Sequence, residues 1–407
     1  MRPQLLLFIG ILSVSCSPHK SYENVTWKSI EKDLQVKLIQ AKPGETVEIP
    51  EGYFAFKKPL VMDGLQDVTI KGAGADKTIL SFALQASGAE GIKAANCKNL
   101  AFEDFTIRDA KGDNIKVTDT RGVRFTRVTS EWTGEPKEEN GAYAFYPVLC
   151  KNVVVEECKA IGSSDAGIYV GQSDSVIIRN NEVFYNVAGI ESENSRWVEI
   201  YGNNAHHNTG GILIFDMPGL TQSGHTTRVF NNEVVSNNYR NFAPEGNVVA
   251  TVPSGTGVMM MATRHIEVFD NTIKDNRSVG VAIASYKLVE ALGAEEGSQL
   301  DSANAQVNED YDPYPTDLHI HDNRISNKYN IPSLKNDFGL LFLVKFPFST
   351  PDIVIDGIFS EEVPFKMCID EDEDIRFANL DAANDFAGLN TDLSPYQCEP
   401  QKIKPIF

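Results

Sequence analysis

AGIYVGQSDSVIIRNNEVFYNV, residues 166–187, runs directly into AGIESENSRWVEIYGNNAHHNT, residues 188–209, and GGILIF follows at once. The repeat is 22 residues long. Each unit opens on a small residue, Gly and Ile, passes through a second apolar run and closes on an Asn pair. A period of about 20 to 50 residues marks stacked supersecondary units. Short Val/Ile runs without helical periodicity predict three strands per unit, at 168–170, 176–178 and 182–184. One unit cannot bury its inward face alone. Units therefore stack as coils, each pairing its strands with the next at roughly 4.8 Å. The stretch predicts an all-β, single-stranded parallel β-helix, right-handed by the general rule for parallel crossovers.

The same columns extend outward. Small residues open coils at Gly91, Ala144, Gly167, Gly189, Gly211, Gly257, Gly280 and Gly339, each followed by an inward residue: Ile92, Phe145, Ile168, Ile190, Ile212, Val258, Val281 and Leu340. A bend column reads Phe105, Val128, Cys158, Asn181, Asn203, Asn232, Asn271, Asn323 and Ile358. Stacked Asn side chains satisfy one another and the bend backbone. A third column, Cys97, Thr120, Cys150, Ser173, Ser195, Gly224, Thr263 and Thr350, supplies the small residues a tight inward corner needs. Together these columns predict about ten coils over residues 60–360.

The chain has 407 residues and a net charge of −19. That charge argues against a nucleic-acid partner, because phosphate binding needs a basic face. Residues 1–15 read as an export signal, with Arg2 ahead of an apolar run too short to span a membrane. Ser13-Val14-Ser15 before Cys16 resembles a bacterial lipoprotein cleavage site, although Ser13 stands where Leu is usual. Lipidation at Cys16, with 16–24 as a tether, is one reading, and secretion without a lipid is the other. Both place the protein outside the cytoplasm, in the cell envelope. Residues 25–59 form a cap. Ile30, Leu34 and Leu38 lie on one face of a short helix that covers the open end of the solenoid.

The helix, KPGETVEIPEGYF and VTIKGAGADKTILSF together resemble the N-terminal cap of bacterial right-handed β-helix proteins. Polysaccharide lyases, mannuronan epimerases and a periplasmic copper-delivery protein share that cap. NTGGILIFDMPGLTQSG, with NFAPEGNVVATVPSGTGVMMMA, resembles a family of bacterial parallel β-helix repeat proteins. That resemblance implies the fold and a haem-bearing, c-type-cytochrome-like partner. The epimerase hallmark Asp-Pro-His-Asp is absent, and the nearest stretch, Asp216-Met217-Pro218-Gly219, lacks the His.

Alternation places Lys93, Lys116, Tyr146, Tyr169 and Glu191 outward on the first strand of successive coils, with Glu193, Asp113, Tyr143 and Asp165 beside them. The spacing matches one sugar unit per coil. Tyr faces stack on sugar rings, and Lys neutralises a uronate carboxylate. Lys116, Tyr146 and Tyr169 are the candidate catalytic set for an elimination or epimerisation, which needs a base, an acid and anion stabilisation. Lys93, Asp113, Tyr143, Asp165, Glu191 and Glu193 are candidate substrate contacts, and the Glu pair offers oxygen ligands for calcium. The groove is expected over the middle coils. Beyond it the same strip turns apolar, at Leu213, Phe215, Met259, Met261, Leu341 and Leu343, and must be covered by the insertions after 216 and 287. The competing class is a non-catalytic envelope accessory protein that docks a protein partner or handles copper through Met259, Met261 and His265. A monomer is expected in either case.

The middle strand points Tyr201, Phe230, Phe269 and His321 outward, a ladder expected to pack under a loop or the tail. His319 and His321, two residues apart, are a weak metal pair. The pattern stops after Glu361. Cys368 and Cys398 are the natural disulfide pair for the irregular tail 361–407, and the acidic run 370–374 reads as solvated. Cys97, Cys150 and Cys158 are expected to be packed thiols.

Overall fold

The computed structural model describes residues 25–291, 308–309, 311–329, 331–334, 337–346, 350–399 and 402–407. The export signal and Cys16 lie outside them. Three parallel sheets surround one core, and the winding is right-handed. The first sheet has 11 strands, from Leu60–Asp63 to Phe377–Asn379. The middle sheet also has 11, from Thr46–Glu48 to Met367–Asp370. The third has 10, from Gly52–Ala55 to Arg324–Ser326. Each coil passes through the first, middle and third sheets in turn. The column of inward residues pairs in register: Ile168 with Ile190, Ile190 with Ile212, Ile212 with Val258, and Val258 with Val281.

The bends are held by side-chain ladders. Asn181 Nδ2 donates to Asn203 Oδ1 at 2.9 Å, and the relay continues through Asn232 and Asn271 to Asn323. A second ladder, Asn186, Asn208, Asn237 and Asn276, occupies the bend from the third sheet back to the first. The hydroxyls of Thr120, Ser173 and Ser195 accept from backbone N–H groups of Cys97, Cys150 and Ser173 at the remaining corner. The Asn amides of both ladders thus bond one coil away, which ties each coil to the next alongside the sheets.

Helix α1, Glu31–Gln40, closes the N-terminal end by burying Leu34 and Leu38. Gln35 completes the closure. Its amide exchanges hydrogen bonds of 2.8 and 2.9 Å with the backbone of Val61, doing for the edge strand what another strand would do. Cys97, Cys150 and Cys158 are free and buried. Cys368 and Cys398 are disulfide-bonded.

The C-terminal end departs from the sequence pattern. Asp337–Lys345 is a helix, α2, so Gly339, Leu340, Leu341 and Leu343 do not belong to a coil. The first-sheet strand after Val279–Ala284 is instead Ile353–Ile355. Thr350 and Ile358 therefore flank a first-sheet strand and leave the corner and bend columns. FGLLFLV is apolar at every position but the Gly, so alternation cannot separate strand from buried helix there. The parallel sheets also run wider than 60–360, from Thr46 to Asn379. Glu371, in the acidic run, is half-buried. It accepts from Asn323 Nδ2 at 2.7 Å and from Asn323 N–H at 2.9 Å, ending the first Asn ladder.

Candidate functional site

The nine residues of the first-sheet strip lie along one face, and their burial changes along it. Lys93 is exposed and ion-paired to Glu90 at 3.3 Å. Lys116, Asp113 and Tyr143 are half-buried. Tyr146, Tyr169, Asp165, Glu191 and Glu193 are buried. The expected open groove over the middle coils is therefore closed at its far half. Tyr146 and Tyr169 share one apolar cluster with Met217, Leu220, Phe242, Val249 and Val252, all from insertions, and with Leu213, Phe215, Met259 and Met261. Thr221 ties the first insertion down through its N–H and hydroxyl to Gln172 Oε1, at 3.0 and 2.9 Å.

Within the closed half the tyrosines interlock, with ring centroids 4.3 Å apart for Tyr143–Tyr146, 4.7 Å for Tyr143–Tyr169 and 4.9 Å for Tyr146–Tyr169. Lys116 Nζ sits 4.6 Å from the Tyr146 ring centroid, a cation–π contact. Tyr143 donates to Asp165 Oδ2 at 3.1 Å, and Tyr169 donates to Glu193 Oε1 at 2.7 Å. Gly171 makes the second bond possible. A Cβ there would lie 2.2 Å from the Tyr169 hydroxyl. Sequence reasoning passed over Gly171, although a Gly inside a strand signals a close approach.

Burial pushes the Asp165 carboxyl up to about 7, the Tyr143 hydrogen bond opposes this, and the Glu193 charge adds to it. Burial, with the charges of Asp165 and Glu193, holds Glu191 well above the usual carboxylate range. Burial likewise keeps the Tyr143 and Tyr169 phenols protonated. Desolvation and the mutual repulsion of neighbouring carboxylates thus leave Asp165 and Glu191 holding protons near neutrality. Asp216 adjoins it. Burial raises its carboxyl to about 7 against the hydrogen bond from the Gly224 N–H, which is 2.9 Å long. Among the described residues no group of three or more His, Cys, Asp or Glu has metal-holding geometry.

The middle sheet carries a second buried acid set that sequence reasoning missed. Arg228 donates to Glu199 at 2.8 Å and to Glu267 at 3.0 Å, and lies 4.9 and 5.0 Å from the ring centroids of Phe230 and Phe269. His321 lies 3.2 Å from Glu267. Tyr201, Phe230, Phe269 and His321 stack at 4.8, 5.0 and 5.3 Å. The tail reaches this face, where Ile406 N–H donates to Glu199 Oε1 at 3.0 Å. His319 turns instead toward Asp317 at 3.0 Å, so His319 and His321 do not converge.

A stacked triangular coil, two Asn ladders and a helical cap define a right-handed parallel β-helix protein. The family model for the "Right handed beta helix region" matches residues 68–226. No curated protein sequence matches the chain. Among solved structures, the mannuronan C-5 epimerase AlgE4 A-module of Azotobacter vinelandii is 15% identical, covers 85% of this chain and 91% of its own, and has a TM-score of 0.48. A DFA-IIIase variant from Arthrobacter chlorophenolicus A6, in complex with DFA-III, is 10% identical, with 80% and 87% covered and a TM-score of 0.47. The periplasmic alginate epimerase AlgG is 14% identical, with 75% and 81% covered and a TM-score of 0.40.

Proposed function

We propose that the protein binds and processes an extracellular, uronate-containing polysaccharide on the first sheet, with the glycan on the open half and proton storage in the closed half. The observation that carries this is Tyr143. Half-buried, it borders the open strip and donates its hydroxyl to an Asp165 carboxyl held at about 7. Lys93 and Lys116 face the glycan and neutralise its carboxylates. Asp113 contacts hydroxyls. Removal of the α-proton of a uronate breaks that C–H bond as a new O–H bond forms on Tyr143, and the original Tyr143 proton passes to Asp165. The electron pair moves onto the uronate carboxylate, where Lys116 stabilises it. A proton delivered from water to the opposite face gives epimerisation; in elimination the β-carbon–oxygen bond breaks, its electrons leave with the oxygen, and that oxygen takes the proton from Tyr143, which recovers its own from Asp165. Tyr146 holds Lys116 through its ring. Tyr169 and Glu193 position Tyr143, and the neighbouring carboxylates raise the affinity of Asp165 for the proton it receives. The export signal delivers this activity to the cell envelope, with Cys16 as the lipid anchor.

The test is a binding screen of the full-length protein against acidic and neutral polysaccharides, with ultraviolet absorbance followed for unsaturated products. Acidic glycans are expected to bind, Lys116→Ala to weaken that binding by about tenfold, a loss of ~1.4 kcal/mol, and Tyr143→Phe to remove turnover while leaving binding. Binding without turnover in the wild type reduces the role to glycan capture. No binding to any acidic glycan overturns the proposal.

A further inference from the structure

The second residue of every six-residue strand in the middle sheet has left-handed backbone. The column runs Asp67, Asn99, Gly122, Asn152, Ser175, Trp197, Thr226, His265 and Asp317, with φ between 51° and 80°. Its first four members are Asp, Asn or Gly, the types that tolerate this conformation best. Farther along, Trp197 and the β-branched Thr226 take the same conformation against their preference, and His265 follows them. The coil geometry imposes this backbone at every level, and strained residues of this kind cluster at functional sites.

These three side chains line one groove of about 540 Å³ with Asp317 and His319, and residues 402–406 of the tail form its other wall. Trp197 is 42% exposed, and the edge of its ring meets His225 at 5.2 Å. Asp317 lies between two imidazoles, 2.6 Å from His265 Nδ1 and 3.0 Å from His319 Nε2. Lys402 and Lys404 are exposed on the tail side. The floor thus offers an aromatic platform beside a hydrogen-bonded carboxylate–imidazole array, with two cations on the tail side.

We infer that this groove is a binding site for a short acidic saccharide, separate from the first-sheet strip and sharing no residue with it. A pyranose ring stacks on Trp197, its hydroxyls bond to Asp317 and the flanking His265, and a uronate carboxylate meets Lys402 and Lys404. The size suits one or two sugar units, since small-ligand sites span about 300–1,000 Å³. Only the ligand class is shared with the proposed function. Binding here does not require processing on the first sheet.

Trp197 is the exposed member of the three tryptophans, since Trp132 is buried and Trp27 half-buried, so tryptophan fluorescence reports on this groove. The experiment titrates the full-length protein with a galacturonate tetramer and with a neutral glucose tetramer. A saturable fluorescence change with the uronate is expected. The double variant Lys402→Ala/Lys404→Ala should weaken it by about tenfold, and Trp197→Phe should remove it. The strip variant Lys116→Ala/Tyr143→Phe should leave it unchanged. No saturable change with either tetramer overturns the inference, as does binding of the neutral tetramer alone. A change that ignores the lysines but disappears in the strip variant also overturns it, and assigns the ligand to the first sheet. Conversely, loss of polysaccharide binding on the strip with the fluorescence response retained defeats the first proposal and leaves this one standing. Both lysines are exposed, so their variant remains readable if Trp197→Phe perturbs the corner.

Discussion

The first and middle sheets each bury acids on their outer face, and they do so in opposite ways. On the middle sheet, burial pushes Glu267 up, but His321 and Arg228 outweigh it and hold the carboxyl below its usual range. On the first sheet, the charges acting most strongly on Asp165 and Glu191 are other carboxylates, and both acids are raised. The same coil geometry thus yields a compensated ion network on one face and a proton store on the other. What differs is the covering. Insertions with apolar side chains close the first sheet. The middle sheet keeps Tyr201, Phe230 and Phe269 half-buried, with Arg228 laid against the two phenylalanines.

The contrast breaks most visibly at Arg228. Arg228→Ala leaves Glu267 buried beside one imidazole, and urea unfolding at neutral pH should show a loss of about 3–5 kcal/mol. A loss below about 1 kcal/mol would mean that the network behaves as a solvated surface pair.

The pH dependence sharpens the other side. A folded Asp165 that titrates at about 7 holds a proton that the unfolded chain gives up near its ordinary 3.8. Stability therefore falls as pH rises through that window, and Asp216, also at about 7, acts in the same sense. Asp165→Asn should flatten the profile between those limits by on the order of 2–4 kcal/mol, read from unfolding midpoints across the pH range. A profile unchanged by the substitution would place the stored proton elsewhere.

Gly171→Ala probes the closed half alone. The added Cβ displaces the Tyr169 phenol from Glu193, and overpacking of this kind costs about 1–3 kcal/mol. Placed on a Tyr169→Ala background, which removes the hydroxyl and the ring atoms 2.4 and 2.5 Å from the added Cβ, Gly171→Ala should recover part of that loss. No recovery would show that the strain falls on the backbone.

Much of this was legible before any coordinates. The run from Asn181 to Asn323 announces a bend ladder because an amide can both donate and accept, and only a stack of like residues at one corner uses both. The Ser/Thr corner, the capping leucines and the Cys368–Cys398 pair were readable for similarly local reasons. The second ladder was legible too, since each of its four Asn residues sits five positions after one in the first, but it was passed over. The helix at Asp337–Lys345 was not legible, because a uniformly apolar run carries no period. Nor was Glu371 as the end of a ladder, since an acidic run gives no sign of which member turns inward.

By itself the sequence determined the repeat, the inward columns and the side chains on each outer face, because alternation along a strand is a local property of the backbone. The tertiary structure alone decided which outer residues meet water. Burial depends on where long insertions and the tail come to rest, and those contacts join residues far apart in the chain. Such contacts turned an expected open strip into a half-closed one that holds protons, and gathered Trp197, His265 and Asp317 with residues 402–406 into a groove.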